Sequence, residues 1–197
     1  RLLLLVQSRE GYLRLCELLT RAYRLQMHRG RAVVRHEWFE ELGTDGLIAL
    51  SGAHWGEIGL ALLNDAWDTA RTYALDMARW FPDRFYLEIQ RTGRPESETH
   101  LAQAVALAGE LDLPVVATHP VQFLAPDDFK AHEARVCIAE GYVLGDRRRP
   151  KSFYPDDYFK SPAEMAALFA DLPEALANSV EVARRCSLVL ELGKSKL

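Results

Sequence analysis

Histidines and a carboxylate follow short apolar runs at three places in the sequence, and these side chains could support metal or acid–base chemistry. His54 lies in "LSGAHWGEIG", Glu88 in "YLEIQRTGR" and His119 in "ATHPVQF". Imidazole titrates near neutral pH and is also a common metal ligand. Because the loops that follow the strands of an α/β sheet meet at one edge, the pattern predicts a cleft that contains these three side chains.

Two of these residues also have a purely structural interpretation. His54 could be a polar loop residue beside Trp55. Glu88 could form an ion pair with Arg91 or Arg94, which follow it in the same stretch. The residue types alone do not decide between a functional cleft and ordinary loop polarity.

A second group of oxygen and nitrogen donors lies in "PDDFKAHEARV", where Asp127, Asp128, His132 and Glu133 are close in sequence. Such a dense set of donors could bind a metal ion. The alternative is that Asp127 or Asp128 caps the helix that begins there.

A basic run precedes two aromatic residues in "GDRRRPKSFYPDD". Arginines beside exposed rings are typical of a loop that contacts nucleic-acid phosphates. A solvated charge run is an equally good explanation. The residues in question are Arg147, Arg148, Arg149, Lys151, Phe153 and Tyr154.

Composition and charge exclude several classes of protein. The net charge of −4 argues against a free-standing nucleic-acid binder. No apolar run approaches the roughly 20 residues that span a bilayer. The sequence has no GxSxG, P-loop or GxGxxG motif, and its three cysteines are widely spaced, as expected in a reducing compartment. The chain opens on "RLLLLV" without an initiator Met, and we expect it to be a piece of a longer protein.

Short apolar runs alternate with helical periods along the chain, which indicates an α/β fold with parallel strands. The predicted strands cover residues 2–6, 47–50, 85–89, 115–118 and 188–192. The predicted helices cover residues 10–27, 36–42, 65–80, 97–110, 127–139, 162–170 and 173–185. Residues 141–157 are predicted to be irregular, and residues 1–197 to form one domain. The pattern leaves an open sheet and a partial barrel as alternatives.

Several segments together resemble the PHP (polymerase and histidinol phosphatase) domain family, in the form found in bacterial replicative polymerases. The most specific of these segments are "FPDRFYLEIQRTGRP" and "LFADLPEALANSVEVARRC". The resemblance covers nearly the whole chain. It implies a distorted (β/α)7 barrel, truncated here because its first strand–helix units would precede residue 1.

The resemblance also implies that a metal site has been lost. Metal-binding relatives carry a histidine, a cysteine and an Asp-x-His pair where this chain has Arg1, Ala53, Pro120 and Gln122. None of these four side chains is a good metal ligand. We therefore expect no catalytic residue and no metal in this chain, with His54, Glu88 and His119 as the rest of a vestigial cleft.

A supporting role in DNA replication follows from the resemblance. The domain would support the polymerase core, whose magnesium ions bind outside this chain, and would dock the proofreading exonuclease subunit among other holoenzyme subunits. The resemblance further implies a bacterial cytoplasmic location, DNA contact through the full-length chain, no membrane partner and self-association of the truncated domain. The alternative function is a metal-dependent 3′–5′ exonuclease or phosphoesterase that uses His54, Glu88, His119 and His132.

Overall fold

A computed structural model describes residues 1–149, 153–190 and 193. Its strands are β1 (Leu3–Val6), β2 (Met27–His28), β3 (Arg31–Ala32), β4 (Leu47–Leu50), β5 (Phe85–Gln90) and β6 (Val115–Thr118). Its helices are α1 (Arg9–Leu25), α2 (Glu37–Leu42), α3 (Glu57–Leu63), α4 (Trp67–Trp80), α5 (Pro95–Leu111), α6 (Phe129–Glu140), α7 (Pro162–Leu168) and α8 (Pro173–Arg185).

Four strands form the central sheet in the order β1-β4-β5-β6. Strands β4, β5 and β6 are parallel, as predicted. Strand β1 is antiparallel to β4, so the prediction of an entirely parallel sheet was wrong. Helix α1 leads the chain away from the end of β1, and α2 returns it to that same end. There, Gln7 N donates to Gly46 O at 2.8 Å, which places the start of β4 beside the end of β1.

The turn before β4 packs directly on the start of α1, and this contact requires glycine. A Cβ atom on Gly11 would lie 2.0 Å from the carbonyl oxygen of Gly46. Gly46 itself has a φ of 79°, a conformation that favours glycine. Ser8 begins α1 by accepting a hydrogen bond from Gly11 N at 3.2 Å.

Apolar side chains cover both faces of the sheet. Successive residues of a strand point to opposite faces, and here both sets are apolar. Leu47 and Ala49 belong to the large core, which also contains residues of α1, α3, α4 and α5. Ile48 and Leu50 point to the opposite face, where they pack with Val182 of α8. The strands are therefore buried on both sides, which explains their continuous apolar sequences.

Two local features were missed, and one predicted strand was wrong in its described part. The hairpin of β2 and β3 replaces the end of the helix predicted for residues 10–27. Arg29 and Gly30 form its two-residue turn with φ of 49° and 77°, as such tight hairpins require. Helix α3 was not predicted. Residues 188–190 are not a strand, and the rest of the predicted strand 188–192 lies outside the described residues.

The described part of the sheet is open, with β1 and β6 at its two edges. The chain is thus a mixed α/β structure with a parallel sheet and surrounding helices. The described portions of residues 141–157 contain no helix or strand, as predicted. Within the described residues, no helix is both long and apolar enough to cross a membrane.

We expect Ser161→Ala to lower the free energy of unfolding by about 1 kcal/mol. Ser161 Oγ accepts from Glu164 N at 3.3 Å, and Glu164 Oε2 accepts from Ser161 N at 2.7 Å. The change therefore removes one half of a reciprocal cap on α7. Urea unfolding measures the effect, with Thr72→Ala at an exposed position on helix α4 as the control. Equal losses for the two variants would contradict the capping role.

Candidate functional site

Three loops meet where the parallel strands end, at the edge of the sheet. They follow β4, β5 and β6 and contain residues 51–56, 91–94 and 119–122. The antiparallel direction of β1 brings Arg1 to the same edge, because Leu3 pairs with Leu50. The Arg1 guanidinium lies 5.3 Å from the centre of the Trp55 ring. We call this region the strand-end site. It comprises Arg1, Ala53, His54, Glu88, Arg94, His119, Pro120, Gln122 and Asp157.

Glu88 lies at the centre of the strand-end site and connects the three parallel strands. Thr118 Oγ1 at the end of β6 donates to Glu88 Oε1 at 2.5 Å, and Gly52 N after β4 donates to Oε2 at 3.1 Å. Gln90 Nε2 approaches Oε1 at 3.4 Å. The residue is only 6% exposed. All of these donors are neutral, and together they bind both carboxylate oxygens.

The predicted ion pair between Glu88 and Arg91 or Arg94 was wrong. Arg91 instead donates to both oxygens of Asp171, at 2.7 and 3.0 Å. Arg94 pairs with Asp157. Both arginines point away from the strand that carries Glu88 and bind later segments of the chain.

The pair of Arg94 and Asp157 is the buried ion pair of the strand-end site. Arg94 Nη2 donates to Asp157 Oδ2 at 2.9 Å, and the two residues are 9% and 1% exposed. Asp157 Oδ2 also accepts from Tyr154 N at 2.9 Å. The Arg94 guanidinium lies 3.8 Å from the centre of the Tyr154 ring. This pair fixes residues 153–157 across the ends of β5 and β6.

His54 is buried in the strand-end site without a hydrogen bond to either ring nitrogen among the described residues. Its ring lies 6.3 Å from that of His100, which is 1% exposed on α5. Burial lowers the pKa of His100 to about 4. Burial, and then the charge of Arg94, lowers the pKa of His54. Both imidazoles are therefore neutral near pH 7.

His119 is held by the segment that contains Asp157. Its Nε2 donates to Asp156 O at 2.8 Å, while Nδ1 is buried without a partner in the described residues. Burial lowers its pKa. Pro120 follows, and Gln122 contributes its backbone N–H to Asp157 O at 2.8 Å. The side chain of Gln122 is not buried.

The second predicted cluster does not converge on a metal site. Asp128 occupies the cap position of α6, but its carboxylate accepts from Ala125 N at 2.9 Å rather than from the helix. His132 packs edge-on against Phe153, with ring centres 4.4 Å apart. Glu133 forms an ion pair with Arg149 at 2.6 Å. These side chains stabilise the α6 region.

The predicted basic run is partly neutralised within the fold. Arg148 binds Asp146 at 2.8 Å, and Arg149 binds Glu133. Arg147 is exposed. Lys151 lies outside the described residues. Two of the three described arginines are therefore already paired with carboxylates.

Comparison with known proteins finds similar sequences over the whole chain. Residues 1–92 match the PHP domain. The whole chain is 55% identical over 201 residues to DNA polymerase III subunit alpha of Neisseria meningitidis serogroup B and covers 17% of that protein. Residues 1–92 of this segment therefore belong to the PHP domain family. The similarity extends beyond residue 92, because the polymerase relatives align over nearly the whole chain.

Other polymerase relatives show the same extent of similarity to this PHP domain. DNA polymerase III subunit alpha of Pseudomonas aeruginosa is 48% identical over 98% of the chain, which covers 16% of the relative. The corresponding subunit of Escherichia coli K12 is 42% identical over 98% of the chain, which covers 17% of the relative. The chain thus spans about one sixth of the length of the curated relatives it matches.

The side chains of this PHP domain do not fit the metal cluster that its family implies. In the described residues, no group of three or more His, Cys, Asp or Glu side chains is placed to hold a metal ion. Arg1 brings a positive charge to the strand-end site, and Ala53 and Pro120 offer no side-chain donor. Ala53 is 1% exposed, so a buried methyl group lies where the resemblance predicts a ligand in metal-binding relatives.

Three residues of the strand-end region were not recognised as important from the sequence. Arg94 was considered only as a partner of Glu88, and Asp157 and His100 were not considered. His100 had a readable signal, because it shares the buried face of α5 with Ala104 and Leu107 at helical spacing. Asp157 had no such signal in the sequence, since its partner Arg94 lies 63 residues away.

Proposed function

We propose that this PHP domain is metal-free and non-catalytic, and that it serves as a scaffold within a replicative DNA polymerase alpha subunit. The observation that supports this is the side-chain set at the strand-end site. Arg1, Ala53, Pro120 and Gln122 occupy the positions that ligands would need. A cluster of anionic and imidazole ligands is stable only when cations compensate its charge. The four side chains present here carry no negative charge and need no bound cation.

The internal contacts of the site favour a structural role. Glu88 is held by neutral donors, and Arg94 is held by Asp157. Both interactions connect loops from different strands. The charge of Arg94 also contributes to the lowered pKa of His54, although Asp157 compensates that charge within the pair. These contacts favour a rigid edge of the sheet.

The polymerase relatives support a proposal for the wider assembly. We propose that residues 1–197 are one domain and form part of a distorted (β/α)7 barrel whose remaining strands lie outside this chain. The domain would pack on a polymerase core that holds the magnesium ions. It would dock a proofreading exonuclease subunit and other holoenzyme subunits in the bacterial cytoplasm. Self-association of this segment would cover apolar surface that the rest of the barrel normally covers.

Metal analysis tests the metal-free state directly. The protein is purified without chelator, dialysed, and measured for zinc, manganese and iron by mass spectrometry. We expect far less than one metal ion per chain and no release of 3′ nucleotides from single-stranded DNA. Stoichiometric metal together with 3′–5′ exonuclease activity would overturn the proposal in favour of the metallohydrolase.

A matched variant identifies the source of any metal found. His54, His119 and His132 are replaced together by Ala, which removes the buried imidazoles of the alternative site. Metal content that is low and equal in both proteins supports the metal-free domain. Metal that is stoichiometric in the parent and absent in the variant contradicts it.

A further inference from the structure

We propose that the hairpin of β2 and β3 is a contact surface for the phosphate backbone of double-stranded DNA. We call it the basic hairpin and define it by Arg24, Arg29, Arg31 and Arg35. It lies at the end of α1 and is separate in sequence from the strand-end site. The proposal does not depend on the metal-free scaffold, so the two can fail independently.

The basic hairpin has a concentration of positive charge that the whole chain lacks. Residues 18–36 contain five arginines and no Asp or Glu, whereas the complete chain has a net charge of −4. Arg21, the fifth arginine, is paired with Glu17 and Glu41 at the base of this region. The other four therefore carry the local positive charge. Local charge of one sign attracts a polyanion even when the overall charge opposes it.

The guanidinium groups of the basic hairpin are available to an external anion. Arg24, Arg29 and Arg31 are exposed and form no ion pair with any described residue. Arg35 donates only to the neutral amide oxygen of Gln26, at 2.8 Å. Arg148 and Arg149 of the basic run near residue 150 differ, because carboxylates already bind them. The hairpin is thus the better candidate for phosphate contact.

The backbone of the hairpin holds Arg29 and Arg31 on a short ribbon, while Arg24 lies on the last turn of α1 and Arg35 follows β3. His28 is paired with Arg31 across the two strands, and Arg29 and Gly30 form the turn between them. Val33 N donates to Gln26 O at 3.1 Å, which ties the hairpin to the end of α1. A two-stranded ribbon is narrow enough to enter the major groove of B-DNA.

The tip of the hairpin favours nucleic acid over an acidic protein. Residues 28–31 at the tip are His-Arg-Gly-Arg, and the exposed apolar side chains of this region, Leu25, Met27 and Val33, lie before and after the tip. Protein interfaces are usually built around an apolar or aromatic centre. DNA presents closely spaced phosphates of one sign, and arginines bind these without such a centre. The relatives of this chain are DNA polymerase subunits, for which duplex DNA is an available partner.

Binding to a fluorescent 20-base-pair duplex tests the proposal, with the salt concentration varied. The variant is R24A/R29A/R31A. If all three residues contact phosphates, the slope of log K against log[salt] should become shallower by about 2 to 3 units. The affinity at low salt should also fall about tenfold or more. Thermal melting should be unchanged, because all three side chains are exposed.

A charge-matched control distinguishes a contact from a general charge effect. R9A/K130A/R184A removes the same charge from exposed positions elsewhere that form no ion pair with described residues. This control should keep most of the affinity and slope. Equal losses in both variants would overturn the proposal. A loss confined to single-stranded DNA would overturn the assignment to duplex.

Discussion

Asp157→Asn is expected to lower the free energy of unfolding by about 3 kcal/mol, since it leaves the buried guanidinium of Arg94 without a compensating charge. Asparagine keeps the shape of the side chain and can still accept from Tyr154 N. The loss therefore reports on the charge rather than on a cavity. Both partners are at most 9% exposed, so solvent screens the pair little. Urea unfolding at neutral pH measures the change.

A second ion pair near the same irregular stretch supplies the control. Asp146 binds Arg148 at 2.8 Å, but the side chain of Arg148 is 85% exposed. Asp146→Asn should therefore lower the free energy of unfolding far less than Asp157→Asn does. The double variant Arg94→Leu/Asp157→Asn should lose less than the sum of its single changes, because no buried charge is left unpaired. Additive losses would show that the ion pair does not hold the two segments together.

The parts of the fold that local sequence determines were predicted with accurate bounds. Strands β4 and β6 and helix α8 have the predicted limits, since each is an apolar run or period bounded by turn residues. The direction of β1 was not predictable in this way. It depends on where α2 returns the chain, which is decided by the contact of Gly11 with Gly46. The residue pattern of β1 does not predict that contact.

In the candidate site too, the local sequence predicted where residues lie but not which distant residues they contact. His54 and His119 follow the neighbouring strands β4 and β6, and Glu88 lies on β5 between them, so strand order alone places the three near one edge. The partners of Glu88 did not follow, because Thr118 and Gly52 come from neighbouring strands while the nearby Arg91 and Arg94 bind elsewhere. Nearness in sequence was a poor guide where cross-strand donors were closer in space.

Acidification from pH 7 to pH 4.5 is expected to destabilise the protein by about 2.5 kcal/mol through His100 alone. The pKa of His100 in the folded protein is about 4, against an ordinary value of 6.5. Below pH 6.5 the unfolded chain binds a proton that the folded protein rejects. Stability is thus fully present above pH 6.5 and is lost as the pH falls toward 4. Burial also lowers the pKa of His54, His119 and His132, so these residues act in the same direction.

Equilibrium urea unfolding at several pH values measures this dependence, and His100→Phe isolates its main source. Phenylalanine fills the buried space on α5 without a titratable group, so the variant should lose about 2.5 kcal/mol less than the parent between pH 7 and 4.5. His28→Gln, at an exposed position on the basic hairpin, should retain the parent's pH dependence. The Tyr158 hydroxyl is the main cause that lowers the pKa of Glu164 to about 2. Such carboxylates lose their contribution to stability mainly below pH 4.5, so the change between pH 7 and 4.5 reports on the histidines. If His100→Phe is as sensitive to acid as the parent, then His100 is protonated in the folded protein and its neutral burial beside His54 is incorrect.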